Sequence, residues 1–315
     1  MKKGIPSSIK RFIWTLVFLT VTMSALAGCG NSQSAFTEEG KLHVTTTIGM
    51  ISDVVKEVGG VNVEVIGLMG AGVDPHLYKA SQGDIAKLDD ADIILYGGLH
   101  LEGKMTEIFE KMVKKKTVVP VTKNIPEQQL RRVADGAHDP HVWFDVKLWM
   151  SATETIRDTL IEEDPDHQAD YQARAEAYLA KLEELDRYAK ELIATIPKEG
   201  RVMVTAHDAF GYFGEAYDIE VVGLQGISTA AEYGSKDVTG LRDMLVDRRI
   251  KAVFVESSVP KKSIEAVIEG AKKKGHDVVI GGELFSDAMG KAGTVEGTYI
   301  GMVKHNVDTI VGALK

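Results

Sequence analysis

The tripeptide Asp-Pro-His occurs twice, at Asp74–His76 in GVDPHLYKAS and at Asp139–His141 in HDPHVWFDVKLW, within a chain that has only 9 His and 8 Pro. A proline before each histidine narrows its backbone freedom, and a side chain already held in place loses less entropy when it binds. Two more polar residues stand just past apolar strand runs, where open α/β sheets present their ligand-binding groups. They are His207 in VTAHDAFGYF and Asp287 in GGELFSDAMG. Three imidazoles and one carboxylate, carried on loops of facing lobes, would form a compact nitrogen and oxygen site for a divalent first-row metal. Asp74, Asp139, Asp145 and Asp208 lie close enough in sequence to accept the second ring N–H of a ligand histidine.

Each of these residues also suits a structural role. His76 and His141 would serve as loop or surface histidines, His207 as a buried histidine bonded to backbone at a strand end, and Asp287 as a helix N-cap. His138, three residues before His141, competes with it as a ligand. His43, His100, His167, His276 and His305 fall in strand, turn or polar helical contexts and read as structural or solvated. Other chemistries have weaker signatures. GLMGAG at Gly67–Gly72 is glycine-rich like a phosphate loop but matches neither GxGxxG nor the Walker A pattern. The chain carries neither a nucleophile elbow nor HExxH. Cys29 is the single cysteine, which excludes an intramolecular disulfide and a thiolate metal cluster.

The elements that must position these residues alternate between β-branched runs and helical patterns. Strands are expected from Leu42, Val63, Asp92 and Thr117, with helices at 51–58, 82–88 and 101–114. A second set starts at Arg201, Ile219, Lys251 and Asp277, with helices at 235–246 and 262–273. Strands separated by helices of this length form parallel sheets covered on both faces. Between the sets, Tyr171, Ala175, Tyr178, Leu182, Leu185, Ala189, Leu192 and Ile196 recur at alternating gaps of four and three, after Asp164-Pro165 and before Pro197. This is one long helix, laid along both lobes or paired in a coiled coil with a partner chain. As the only covalent link it would restrict hinge motion, so small tilts and loop rearrangements are expected rather than wide closure. The fold class is therefore α/β: two lobes of mainly parallel sheet joined by one long α-helix, with the metal site in the interlobe cleft. The expected divisions are a leader at 1–28, a tether at 29–40, lobes at 41–163 and 198–315, and the linking helix at 164–197.

The leader has Lys2, Lys3, Lys10 and Arg11, then an apolar run from Phe12 to Ala27, the pattern of a secretory signal that is too short to span a membrane. Leu-Ala-Gly-Cys at Leu26–Cys29 resembles a bacterial lipobox, which implies cleavage before Cys29 and lipid on its sulfur and amine. Residues Gly30–Gly40 would then be a flexible tether outside the cytoplasmic membrane. The formal charge of −9, less the four cations of the leader, becomes −13. Such a surface excludes nucleic acid as a natural partner and favours the collection of cations.

Taken together and in order, GVDPHLYKAS, DADIILYGGLHLEGKM, HDPHVWFDVKLW, TAHDAFGYF, GISTAAEYGSKD and LFSDAMG resemble the metal-binding receptors of bacterial ABC importers. The match is to the TroA-like zinc and manganese receptors, the cluster A-I solute-binding proteins, over essentially all of Lys41–Lys315. The resemblance implies a metal held between two lobes by His76, His141, His207 and Asp287. It also implies delivery to a membrane permease driven by a cytoplasmic ATPase, by a chain expected to act as a monomer. Family members specialised for manganese often have glutamate where this chain has His207. Zinc specialists often carry a long His-rich insertion where KNIPEQQLRRVADGAHD is short. The resemblance therefore favours manganese as cargo, with zinc able to occupy the same site and to bind it more tightly.

Two other functions fit parts of the pattern: an extracytoplasmic metal-dependent hydrolase, and a surface adhesion lipoprotein in which the metal is structural. A hydrolase needs an open coordination position and a general base, and a structural metal should be needed for folding. For a receptor with histidine ligands, affinity is expected to fall as pH drops through about 6.5, because the imidazoles must be neutral to bind.

Overall fold

The first lobe is built from short β-branched strands that alternate with helices: β1 (Leu42–Thr46), α1 (Gly49–Gly59), β2 (Val63–Gly67), α2 (Gln82–Asp90), β3 (Ile93–Tyr96), α3 (Thr106–Met112) and β4 (Thr117–Pro120). This computed structural model describes residues 40–133 and 136–315; the leader, Cys29 and the tether up to residue 39 lie outside the described residues. All four strands pair in parallel in the order β2-β1-β3-β4. The winding reverses between β1 and β3, and the loops at their carboxyl ends open into one crevice. α2 is set by a reciprocal cap, in which Asp84 N–H donates to the Ser81 hydroxyl and Ser81 N–H donates to the Asp84 carboxylate.

The helix expected at 101–114 is shorter, because residues 99–105 form turns. Gly98, Leu99 and His100 all take positive φ (85°, 52° and 65°). The buried Glu102 carboxylate then accepts the N–H groups of Gly97 and Gly98 and the Thr47 hydroxyl, an arrangement that a helix starting at Leu101 does not allow.

The second lobe repeats the scheme with β5 (Val202–His207), α6 (Gly211–Tyr217), β6 (Glu220–Gln225), α7 (Ser235–Asp247), β7 (Ala252–Glu256), α8 (Lys262–Lys273) and β8 (Val279–Leu284), and closes with α9 (Tyr299–Leu314). β5 pairs with β6 and β7 with β8, both in parallel. β5 lies beside β7, so the spatial order β6-β5-β7-β8 mirrors that of the first lobe.

α4 (Val146–Glu163) leads into the long link between the lobes, the 26-residue α5 (Gln168–Ile193). The latter spans about 39 Å at 1.5 Å per residue. It begins later than Asp164-Pro165 suggests, because Pro165–His167 form a 3-10 turn whose Asp164 carboxylate accepts the Tyr171 hydroxyl and the His167 ring N–H. The periodic seam faces inward: Tyr171, Ala175, Tyr178, Leu182, Leu185, Ala189 and Ile196 are buried, whereas Leu192 is only partly buried. α5 packs on α1, α4 and α9 of its own chain, which decides against a coiled coil with a partner. The largest apolar cluster runs without a break from Val44 through this seam to Ile310. A second cluster lies between the two ladders of the second lobe and helices α7 and α8.

Candidate metal centre

The four predicted residues lie at or beyond the carboxyl ends of strands, His141 the farthest, 21 residues past Pro120. His76 lies in the loop after β2, His141 in the segment between β4 and α4, His207 is the last residue of β5, and Asp287 lies three residues beyond β8. The structure brings them together. One donor atom from each lies within 4.8 Å of the others, and the four residues are 0–4% exposed.

The Nε2 atoms of His76 and His141 are 3.2 Å apart. Asp287 Oδ1 is 3.4 Å from His141 Nε2, and Asp287 Oδ2 is 3.6 Å from His76 Nε2 and 3.3 Å from His207 Nε2. Donors bonded at about 2.0–2.2 Å to a tetrahedral ion sit roughly 3.3–3.6 Å from one another. The four separations just given, 3.2–3.6 Å, are close to that spacing. Both Asp287 oxygens and His207 Nε2 are buried without a hydrogen-bond partner among the described residues. Buried carboxylates in proteins are paired or coordinate metals, so this donor set fits a divalent cation. The chain after Asp287 continues in turns rather than a helix, which removes the N-cap role.

Two of the three histidine rings, those of His141 and His207, have a carboxylate behind them. His141 Nδ1 is 2.7 Å from Asp139 Oδ1, which also accepts the His141 backbone N–H at 3.0 Å. Of the four aspartates offered by the sequence, Asp139 alone plays this ring-orienting part. Asp145 caps α4 through the N–H of Lys147, and Asp74 accepts the His76 backbone N–H. The carboxylate behind His207 is one that sequence reasoning missed. Glu256, the last residue of β7, accepts the His207 backbone N–H at 2.8 Å and brings Oε2 to 2.5 Å from Nδ1, an ion-pair contact rather than an aligned hydrogen bond. Its signal was an acidic residue ending the apolar run AVFVE beside the strand that bears His207. On the other flank, the Trp143 indole N–H donates to the Ser286 carbonyl at 3.0 Å, and the Tyr299 hydroxyl donates to the Trp143 carbonyl at 2.7 Å. These bonds fix the residue next to Asp287.

The charges divide the donors. Burial dominates at His76 and, against the pull of Asp287, lowers its pKa to about 4. Burial opposes protonation of His141 too, but Asp139 outweighs it and raises the pKa to about 9. His207 is likewise held well above the ordinary imidazole value, against burial, by Glu256 and Asp287. Asp287 is held well below the carboxylate range against its own burial by His207 and His141. Before an ion arrives, protons on the second pair of imidazoles compensate the buried Asp287.

The competing assignments fall away. His138 stays outside the cluster, in an isolated bridge with Arg132. His276 and His305 contact the carbonyls of Ile250 and Glu283, and His167 contacts Asp164. In the glycine-rich segment, the N–H groups of Leu68 and Met69 extend the sheet to the carbonyls of Thr46 and Thr47, which removes them from any phosphate cradle.

A pair of parallel α/β lobes enclosing three histidines and an aspartate defines a two-lobe cation-binding architecture. Residues 44–313 match the family described as "Zinc-uptake complex component A periplasmic", and the chain belongs to that family. It is 50% identical over 292 residues, 92% of this chain and 95% of the other, to the manganese-binding lipoprotein MntA of Bacillus subtilis (strain 168). It is also 50% identical over 276 residues, 88% of this chain and 90% of the other, to the zinc-binding protein TroA of Treponema pallidum (strain Nichols). The solved structure of the periplasmic zinc-binding protein TroA from Treponema pallidum superposes with a TM-score of 0.86, covering 87% of this chain and 99% of that one.

Proposed function

We propose that this protein is an extracytoplasmic receptor that captures Mn2+ or Zn2+ with His76, His141, His207 and Asp287 and hands the ion to an ABC permease. The observation that carries the reading is the convergence of four buried donors, two from each lobe, around a carboxylate whose oxygens accept no hydrogen bond among the described residues. Relatives named as manganese-binding and zinc-binding, and a metal ABC transporter substrate-binding lipoprotein from Streptococcus mutans 33% identical to this chain, support the transport role. The ion is cargo: the site desolvates it, and the permease, powered by a cytoplasmic ATPase, receives it.

The same reading takes 1–28 as a cleaved leader, Cys29 as the lipidated residue and 29–40 as the tether to the outer face of the cytoplasmic membrane. Residues 41–163 and 198–315 are the lobes, 164–197 the link, and the chain works as a monomer. Catalysis is not part of it. Four protein donors close the shell, whereas hydrolytic zinc sites keep a position for water.

The test is a comparison of Mn2+ and Zn2+ affinities by chelator competition for wild type, Asp287→Ala, His207→Ala and His138→Ala. The first two should each weaken binding by more than about a hundredfold, beyond the range seen for outer partners, and the third by less than about threefold. Equal, small effects in all three would mean that the site lies elsewhere. Metal contents of protein purified from its native envelope would then separate Mn2+ from Zn2+.

A further inference from the structure

The two Asp-Pro-His segments share a geometry that ligation by their histidines does not require. In each, the proline has no N–H to offer, and Oδ1 of the aspartate accepts the N–H of the histidine two residues on: Asp74 from His76 at 2.9 Å, Asp139 from His141 at 3.0 Å. In each, Oδ2 of the same aspartate leads to the other lobe, directly at Asp74 and by way of the first-lobe residue Arg131 at Asp139. Asp74 Oδ2 accepts the hydroxyl of Thr229, in the loop after β6, at 2.6 Å. Asp139 Oδ2 accepts Arg131 Nη1 at 2.5 Å, and Arg131 Nε donates to Glu215 of α6 at 2.7 Å. The Tyr212 hydroxyl of α6 adds a bond to the Asp139 carbonyl at 2.9 Å. Gly211 leaves room for this bridge, since a Cβ there would lie 1.5 Å from Arg131 Nη1.

We infer that Asp74 and Asp139 are two-handed latches, each holding a first-lobe histidine with one oxygen and linked to the second lobe through the other, Asp74 directly to Thr229 and Asp139 through Arg131 to Glu215, so that lobe separation loosens His76 and His141 together. Thr229 and Arg131 are the positioning residues that close the latches. The inference rests on the metal reading above and adds its release step: movement of the loop after β6 or of α6 frees the two aspartates to turn, and the imidazole pair loses its alignment. Ion release thereby becomes coupled to whatever pulls the lobes apart, without a wide hinge.

The experiment follows Zn2+ dissociation in stopped flow after mixing the loaded protein with excess EDTA. Thr229→Val and Arg131→Gln should each release Zn2+ at least about tenfold faster, the usual weight of a hydrogen bond to a charged group. Thr229→Ser should restore the wild-type rate. The Tm of the metal-free Thr229→Val protein should stay close to wild type, which separates positioning from general stability. Dissociation within twofold of wild type in both variants would overturn the latch while leaving the site intact. Failure of the wild-type protein to bind Zn2+ would overturn the metal reading and the latch with it.

Discussion

Glu256 grips His207 at two points, accepting its backbone N–H at 2.8 Å through Oε1 and standing 2.5 Å from Nδ1 through Oε2. The contact joins the ends of β5 and β7 and leaves Nε2 facing Asp287. Glu256→Gln keeps the shape and removes the charge that supports imidazole basicity. Metal affinity should drop by about 10- to 100-fold, the range for carboxylates behind ligand histidines, as read by competition with a chromogenic chelator. An unchanged affinity would mean that Glu256 only braces the sheet.

The pH response should sit higher than histidine alone suggests. His141, raised to about 9 in the ion-free protein, and His207, also raised, carry protons near neutrality that an ion must displace. His76, lowered to about 4, is already neutral there. Affinity should therefore climb from pH 6.5 toward 9, by up to about tenfold per pH unit for each proton released. Calorimetry at pH 7 in buffers of different ionisation enthalpy should report net proton release; zero release would contradict the assignment.

The same shift has a signature without metal. A raised His141 pKa stabilises the ion-free fold fully below about 6.5 and loses that contribution as pH rises through about 9. Loaded and ion-free proteins should thus diverge in Tm as pH increases, the loaded form gaining on the other. Parallel Tm profiles across this window would count against proton and ion competing for one place.

Leu182 lies at the middle of the buried seam of α5. Leu182→Ala should cost about 2–5 kcal/mol in urea unfolding, the range for a cavity in a packed core. Sedimentation should show the same species before and after, because the seam packs on its own chain. A change of oligomeric state would revive the partner-chain reading.

Chelation should leave the protein folded. The apolar cluster from Val44 to Ile310 holds the lobes on α5 without help from an ion, so far-UV circular dichroism should be unchanged in EDTA. Adding metal at a thousand times Kd should raise stability by about 4 kcal/mol. Loss of secondary structure on chelation would point to a structural metal instead.

Alternation of strand and helix, and the rule that ligands gather at strand carboxyl ends, made the two lobes and the four clustered residues readable from the sequence. What escaped is spread across long separations in the chain. Glu256 supports His207 from 49 residues away, and Trp143 reaches Ser286 across 143; neither has a local pattern. The late start of α3 depends on where the Glu102 carboxylate points, and that is decided by Thr47, Gly97 and Gly98. Leu101, Glu102, Lys104 and Met105 are good helix formers, but Gly103 among them weakens the helix, and the buried Glu102 carboxylate must be satisfied.

Among the described residues every strand ladder is parallel, and parallel neighbours can meet only after a crossover of a dozen or more residues has closed behind them. Chains wound this way fold slowly, since much loop entropy is lost before the pairing returns anything. The donor from β8 is the last to be made, so a nascent or truncated chain possesses at most a fragment of the coordination shell. Gathering all four donors thus requires the second lobe to be in place down to its last strand.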